Sequence, residues 1–437
     1  MLADMWRCPI VMLVVMALSA SAHADALSDL LAHTDEVAQN VAHVRGLKLK
    51  HKIPNEVVDR AELRKRLIDE AAEDKTAAET IAEGLALQRW GFIPLDYDYP
   101  ARLLDLLSDQ IAGYYDPKTK KLTILDSAAN DPEWAAMVLS HELDHGLQDQ
   151  AFDLEKFEKL PDDESDASLA RHALVEGDGV ALMLEIAFAQ NGIVNPWSHP
   201  EVAVAVVSSM NQPDPAAKDG KADLLAEAPL ALREAMLFPY RDGFAFVAAL
   251  RRTKPWSVID GAFKRAPRST EQILHVDKYL ADDKPIPVSV GAPIAGYTLQ
   301  DSAVWGELGM RSFLRTHGVS DEVSRRAAEG WGGDRAIVLA RENETNPRKM
   351  IAVGRFEWDT EIDAREAQAA LEHALDEMTV GATMDQTMER TRWLALDGTV
   401  SWIERKGAGL VVVIGAPVAM AETIDPWTML TAKRPKH

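Results

Sequence analysis

Asp131-Pro-Glu-Trp134-Ala-Ala-Met137-Val138-Leu-Ser-His141-Glu142-Leu143-Asp144-His145 is the stretch on which the reading of the whole chain turns. Asp131 is suited to cap a helix whose first position is Pro132, since a proline has no N–H to leave unbonded there. Trp134, Met137, Val138, His141 and His145 then recur at helical spacing, which predicts an amphipathic helix with both histidines on its buried edge. Residues four apart project from one face, so His141 and His145 can place two imidazole nitrogens on a single metal ion while Glu142 stands beside it.

The bland reading of such histidines is a core residue bonded to a backbone carbonyl, but the complete His-Glu-x-x-His string has the geometry of a zinc hydrolase. A hydrolytic zinc needs a third protein ligand and an open position for water. Leu169 to Glu185 forms a second helical stretch, ending near Asn191-Gly192, and within it Glu176 is followed by Gly177 and Gly179. Two glycines inside a helix cost stability and so mark close approach of another backbone. Glu176 is therefore the expected third ligand, with His172, one turn earlier, as the competing choice. Asp178 and Asp149 are expected as carboxylates that orient a ligand histidine. Asp144 points away from the ligand edge and reads as a surface group or as one behind the ligands.

A His-Glu-x-x-His helix followed by a helix bearing Glu-Gly resembles the gluzincin class of zinc metallopeptidases. The resemblance implies one Zn2+ per chain held by His141, His145 and Glu176, with Glu142 as catalytic base, and it covers residues 131 to 186. Gly113-Tyr-Tyr-Asp-Pro117, Ser269-Thr-Glu-Gln-Ile-Leu-His275 and Gly330-Trp-Gly-Gly-Asp-Arg335 are similar to stretches of bacterial metallopeptidases of unassigned activity. Asp144 departs from the usual motif, which has an uncharged residue there.

Peptide hydrolysis by such a site requires a carboxylate that takes a proton from water and passes it to the leaving amine, the role expected of Glu142. It also requires a donor aimed at the developing oxyanion; Tyr240, in Pro239 to Phe246, and His275 are the candidates. Residues 112 to 125 read as a hairpin turning at Asp116-Pro-Lys-Thr119, and its Tyr114–Tyr115 strand could bind an extended peptide by main-chain pairing. The rival to a peptidase is a non-catalytic zinc protein that holds extended peptides as a binding or folding factor. A ferritin-like di-iron protein would need a second Glu-x-x-His string to match Glu142-x-x-His145, and none exists.

Residues 1–24 carry Arg7, an apolar run from Pro9 to Leu18 and small residues at Ala20, Ala22 and Ala24, the pattern of a secretory signal peptide. Cys8, the only cysteine, lies within it, so the mature chain has neither a disulfide nor a thiolate zinc site. A periplasmic or secreted protein is expected, an uncleaved anchor being the lesser reading, with no stable membrane insertion after signal removal. The net charge of −22 argues against nucleic acid or anionic membrane as partner and favours basic peptides, while the peptidase resemblance implies a peptide or protein substrate.

At 437 residues two units are expected in an α+β fold. The first is a helix-rich, zincin-like catalytic domain with a small edge sheet, residues 25–283. A Pro-rich linker follows, residues 284–298, and then a C-terminal α+β domain with an antiparallel sheet, residues 299–437. The Pro- and Lys-rich stretch from Asn211 to Asp223 reads as a surface loop or a lid, and Trp331-Gly-Gly-Asp-Arg335 as a tight turn fixing Trp331 in the C-terminal core.

Overall fold

The computed structural model describes residues 30–74, 76–211, 223–292 and 294–434, and shows an α+β protein. The signal-peptide reading of residues 1–24 and most of the Asn211–Asp223 loop lie outside the described residues.

The motif helix runs Pro132–Phe152, started as expected by Asp131, whose side chain accepts from the Trp134 N–H at 3.0 Å. It stops where Asp153 turns left-handed. Against it lies a three-stranded sheet in the order β1-β3-β2, made of β1 (Asn55–Val58), β2 (Gly113–Asp116) and β3 (Lys121–Leu125). The hairpin β2–β3 is antiparallel, whereas β1 joins β3 in parallel. Gly146 lets this sheet sit close: a Cβ there would lie 2.4 Å from Ile53 and 3.3 Å from Tyr115.

The second long helix, Ser165–Gln190, carries Glu176 and packs between the motif helix and a third, Leu230–Arg251. Its two glycines meet different neighbours. A Cβ on Gly177 would lie 2.2 Å from the Gly243 carbonyl, and one on Gly243 would lie 2.0 Å from the Ala173 carbonyl, so these two helices touch backbone to backbone. Gly179, some 200° further round the helix by the 100° step per residue, faces the imidazole of His141. The close approach of another backbone expected at these glycines is thus made at Gly177 by Leu230–Arg251, while Gly179 faces the motif helix.

Beyond β4 (Val288–Val290), the C-terminal unit is built on a seven-stranded antiparallel sheet in the order β5-β6-β7-β11-β10-β9-β8. Its strands are β5 (Thr298–Ala303), β6 (Trp331–Ala340), β7 (Ile351–Trp358), β8 (Gly381–Gln386), β9 (Arg390–Ala395), β10 (Thr399–Lys406) and β11 (Gly409–Pro417). Alternation along the central strands splits two cores. Ile337, Leu339, Ile351, Val353 and Val413 face one side, and Ala336, Val338, Ala352, Phe356 and Val412 the other. The second face is covered by the helices Gly306–Thr316 and Glu361–Met378 and is continuous with the core of the motif half. Trp305 sits at that junction, with Trp90 at 4.7 Å and Phe92 at 4.8 Å edge-on to it.

Three expectations change here. Residues 284–298 are not a free linker, because Val288–Val290 forms a strand that pairs with Leu430–Ala432 and Ile286 donates to the Gly332 carbonyl at 2.6 Å. Trp331 to Arg335 is not a tight turn: it opens β6, with a register shift at Trp331/Gly333 where the Ile286 carbonyl crosses Gly333. And the two units share a core rather than standing apart.

Trp331 to Arg335 and Ser269 to His275 meet at the start of the Glu176 helix. Asp166 accepts from the Thr270 hydroxyl at 2.6 Å and from its N–H at 3.1 Å. Asp334 accepts from the Trp305 and Gly306 N–H groups at 2.9 and 3.0 Å, and Arg335 pairs with Asp163 at 3.0 Å and Glu164 at 2.8 Å. Burial raises Asp166 to about 8 and Asp334 to about 6, the Thr270 groups and the Trp305 and Gly306 N–H groups pulling respectively the other way. The C-terminal sheet therefore anchors the helix that delivers Glu176.

Candidate metal centre

His141, His145 and Glu176 converge, all three buried, with one ligand atom from each within 4.8 Å of the others. The His141 and His145 Nε2 atoms are 2.9 Å apart, and Glu176 Oε2 lies 3.1 Å from the first and 3.5 Å from the second. Donors bound tetrahedrally at about 2.0–2.1 Å from zinc stand about 3.3 Å apart, so the three atoms already have the spacing such an ion requires. The donor set, two imidazoles and one carboxylate, also suits it. These residues can hold a metal ion.

Charge points the same way. Glu142, Asp144, Glu176 and Asp178 are four carboxyls at 0% exposure, and among the described residues the only guanidinium buried with them is that of Arg45, also at 0%. Unpaired buried charge is costly, so either protons or a cation must offset this excess. In the protein alone the balance is struck by protons. Burial opposes charge on His145, but Glu176 and Glu142 outweigh it and raise the imidazole to about 10. Burial also acts on Glu176, yet His145 and His141 hold that carboxyl well below its usual range. Glu142 is pushed up to about 8, chiefly by burial, with Glu176 adding to the effect and His145 opposing it. Among the described residues no side chain hydrogen-bonds either Glu142 oxygen, the Tyr115 backbone N–H being the group directed at that carboxyl, and Glu176 Oε1 faces His172.

Of the other expected residues, His172 is not a member of the ligand group. It binds Glu158 through Nδ1 at 2.8 Å, and its Nε2 lies 3.4 Å from Glu176 Oε1, so it backs the ligand carboxylate. Asp178 does not touch a ligand histidine; it reaches His145 through Gln148, which bonds Asp178 Oδ2 at 3.0 Å and His145 Nδ1 at 2.9 Å. Asp149 is directed elsewhere, accepting from the Tyr115 hydroxyl at 2.8 Å and pairing with Lys120 at 2.9 Å, which pins the hairpin to the motif helix. Asp144 is not on the surface. It is buried and accepts from Gln148 Nε2 at 3.0 Å.

Tyr114 and Tyr115 are both buried, the first beside Arg66 and the second on Asp149, so their side chains are packed rather than open to a ligand. β2 is an edge strand that among the described residues pairs only with β3, and its Tyr115 N–H is directed at Glu142. Tyr240 lies on the buried side of Leu230–Arg251, the helix that touches the Glu176 helix. His275 is placed at the joint between the two units, where it pairs with Glu307 at 2.9 Å, and that bond raises its pKa. Its occupation there removes the reason for expecting it as an oxyanion donor.

Arg45, Gln148 and Gly243 went unnoticed in the sequence. Gln148 follows His145 by three residues and so shares its helix face, a signal that was present. Arg45, in the last turn of the helix Thr34–Arg45, looks like any surface arginine at a helix end.

Residues 296–425 match a family model described as Domain of unknown function (DUF8575), which falls on the C-terminal sheet unit. No curated protein and no solved structure matches the chain. Among the described residues no helix is long and apolar enough to cross a membrane.

Proposed function

We propose that the chain is an exported zinc-dependent peptidase with His141, His145 and Glu176 as metal ligands and Glu142 as general base. The observation that carries this reading is the pairing of a three-donor group at zinc spacing with a buried glutamate that no side chain among the described residues hydrogen-bonds. A zinc ion held by these residues would supply a Lewis acid to the scissile carbonyl and an acidified water. Glu142 takes a proton at a carboxylate oxygen and returns it to the leaving amine. The strand β2 holds an extended peptide by its main chain. Tyr240 is the candidate oxyanion donor on the element flanking the Glu176 helix.

Three protein ligands leave a coordination position open, as in catalytic rather than structural zinc sites. One observation favours the non-catalytic rival: His141, Glu142 and Glu176 are at 0% exposure, so turnover requires the layer over the site to open. The test of the metal assignment is elemental analysis of the purified chain. One zinc per chain is expected, lost in His141→Ala and in His145→Ala, because removing one of three ligands removes a large part of the affinity. Full zinc occupancy in either variant would overturn it.

A further inference from the structure

Gln148 is wholly buried and its amide nitrogen faces three acceptors: Asp144 Oδ2 at 3.0 Å, Asp178 Oδ2 at 3.0 Å and the Val175 carbonyl at 3.2 Å. Reversing the amide would set its oxygen against two carboxylates and a carbonyl, so its orientation is fixed by chemistry. The oxygen is then the atom 2.9 Å from His145 Nδ1, which must donate to it. A neutral imidazole has one N–H, and with that hydrogen on Nδ1 the Nε2 atom presents a lone pair.

Asp178 is held in turn by Arg45. The guanidinium bonds both carboxylate oxygens, Nε to Oδ1 at 2.9 Å and Nη2 to Oδ2 at 3.0 Å, while Nη1 reaches Asp260 at 2.8 Å. Its face lies over Trp256, with the guanidinium carbon 5.0 Å from the ring centroid. Every part of this arrangement is buried except Asp260, which is partly exposed.

We infer that Arg45 and Gln148 are positioning residues of the metal centre: Arg45 fixes Asp178, Asp178 and Asp144 fix the Gln148 amide, and the amide oxygen commits His145 to binding metal through Nε2. The inference rests on the metal reading above and adds to it two residues and a direction of control. It makes the helix Thr34–Arg45 part of the site although no atom of it touches a ligand in this chain of contacts. Removing Arg45 leaves nothing to hold Asp178 against Gln148, and removing the Gln148 amide leaves His145 free to carry its hydrogen on either nitrogen.

The test uses the purified chain, titrated with zinc against a competing chelator, as wild type and as Gln148→Leu, Arg45→Met and Arg45→Lys. Gln148→Leu and Arg45→Met should each weaken zinc about 10- to 100-fold. Arg45→Lys should fall between them and wild type, since an ammonium cannot reproduce the two-point bond. Long-range proton–nitrogen NMR on the zinc-loaded wild type should show His145 with hydrogen on Nδ1 and metal on Nε2. In the cobalt-loaded protein its Nδ1–H should be a shifted resonance slow to exchange, and exchange should become fast in Gln148→Leu. Should Arg45→Met not fold, the wild-type spectra decide by themselves. His145 bound through Nδ1, or Gln148→Leu titrating as wild type with slow exchange kept, would overturn the inference while leaving the metal site standing. A wild type that takes up no zinc would overturn both.

Discussion

Gly179→Ala adds one methyl group at the point where the Glu176 helix faces His141, and the structure fixes what that methyl meets. The new Cβ would lie 2.7 Å from Cε1, 2.8 Å from Nδ1 and 3.2 Å from Nε2 of the imidazole. Carbon contacts are comfortable near about 3.5 Å, so the ring must retreat by about 0.8 Å. Ligand constellations tolerate displacements of only about 0.5 Å. Zinc affinity should therefore fall by about 10- to 100-fold, the range seen when the support of a ligand is disturbed. Global stability should move much less, because alanine is worth about 1 kcal/mol over glycine inside a helix, which offsets part of the clash. Gly261→Ala is the control: this helical glycine has nothing within 4 Å of its added Cβ. It should gain about 0.4–1 kcal/mol and leave zinc untouched. The assay is a chelator competition alongside denaturant unfolding for the two variants. Zinc binding by Gly179→Ala equal to wild type would refute the placement of His141 against this helix.

Glu176→Ala should lose most zinc affinity, whereas His172→Ala, which removes only the group behind Glu176 Oε1, should lose about 10- to 100-fold at most; a larger loss in the histidine variant, read by the same competition, would make His172 the ligand. Metal uptake should also depend on pH with a defined sign. His145 at about 10 carries a proton at neutral pH in the metal-free protein, so binding must expel it. About one proton should be released per zinc near pH 9, where Glu142 is already ionised and His145 still protonated, and apparent affinity should rise about tenfold per pH unit from there until pH approaches 10. The ion pair that raises His145 stabilises the metal-free fold fully below about pH 6.5, the unfolded value, and that contribution is lost as pH rises through about 10. Calorimetry in buffers of different ionisation enthalpy measures the release; uptake with no proton released would contradict the assignment of the proton.

The motif helix was legible because all its signals agree: the Asp131 cap, Pro132 at the first position, and apolar spacing that runs into His141 and His145. Glu176 was legible through the glycines behind it. The central strands β6, β7, β10 and β11 show in the sequence as short, largely apolar runs, since both faces of the sheet are covered. The edge strands β5 and β8 did not show, because Thr298–Ala303 and Gly381–Gln386 are largely solvent-facing and carry little apolar pattern. The parallel pairing of β1 with β3 also lay beyond reach, since it joins segments with three helices between them. Long-range partners set the remaining differences. Nothing near Asp149 in sequence points to Tyr115, nothing near His275 points to Glu307, and nothing near Arg45 points to Asp178. The expected roles of Asp149 and His275 rest on their neighbours in sequence and Arg45 has none there, whereas each of the three takes its role from a neighbour in space.

The central claim is that Glu142 moves the proton in peptide hydrolysis at this metal site. Glu142→Gln keeps the shape of the side chain and removes the base, so it isolates that claim from folding and from metal binding. The zinc-loaded wild type and the Glu142→Gln variant should be incubated with a proteome-derived peptide library and the new termini counted by mass spectrometry. Cleavage by the wild type, reduced about 100-fold or more in the variant at equal zinc content, is the predicted result. Equal cleavage by both, or none by a fully zinc-loaded wild type, would contradict it.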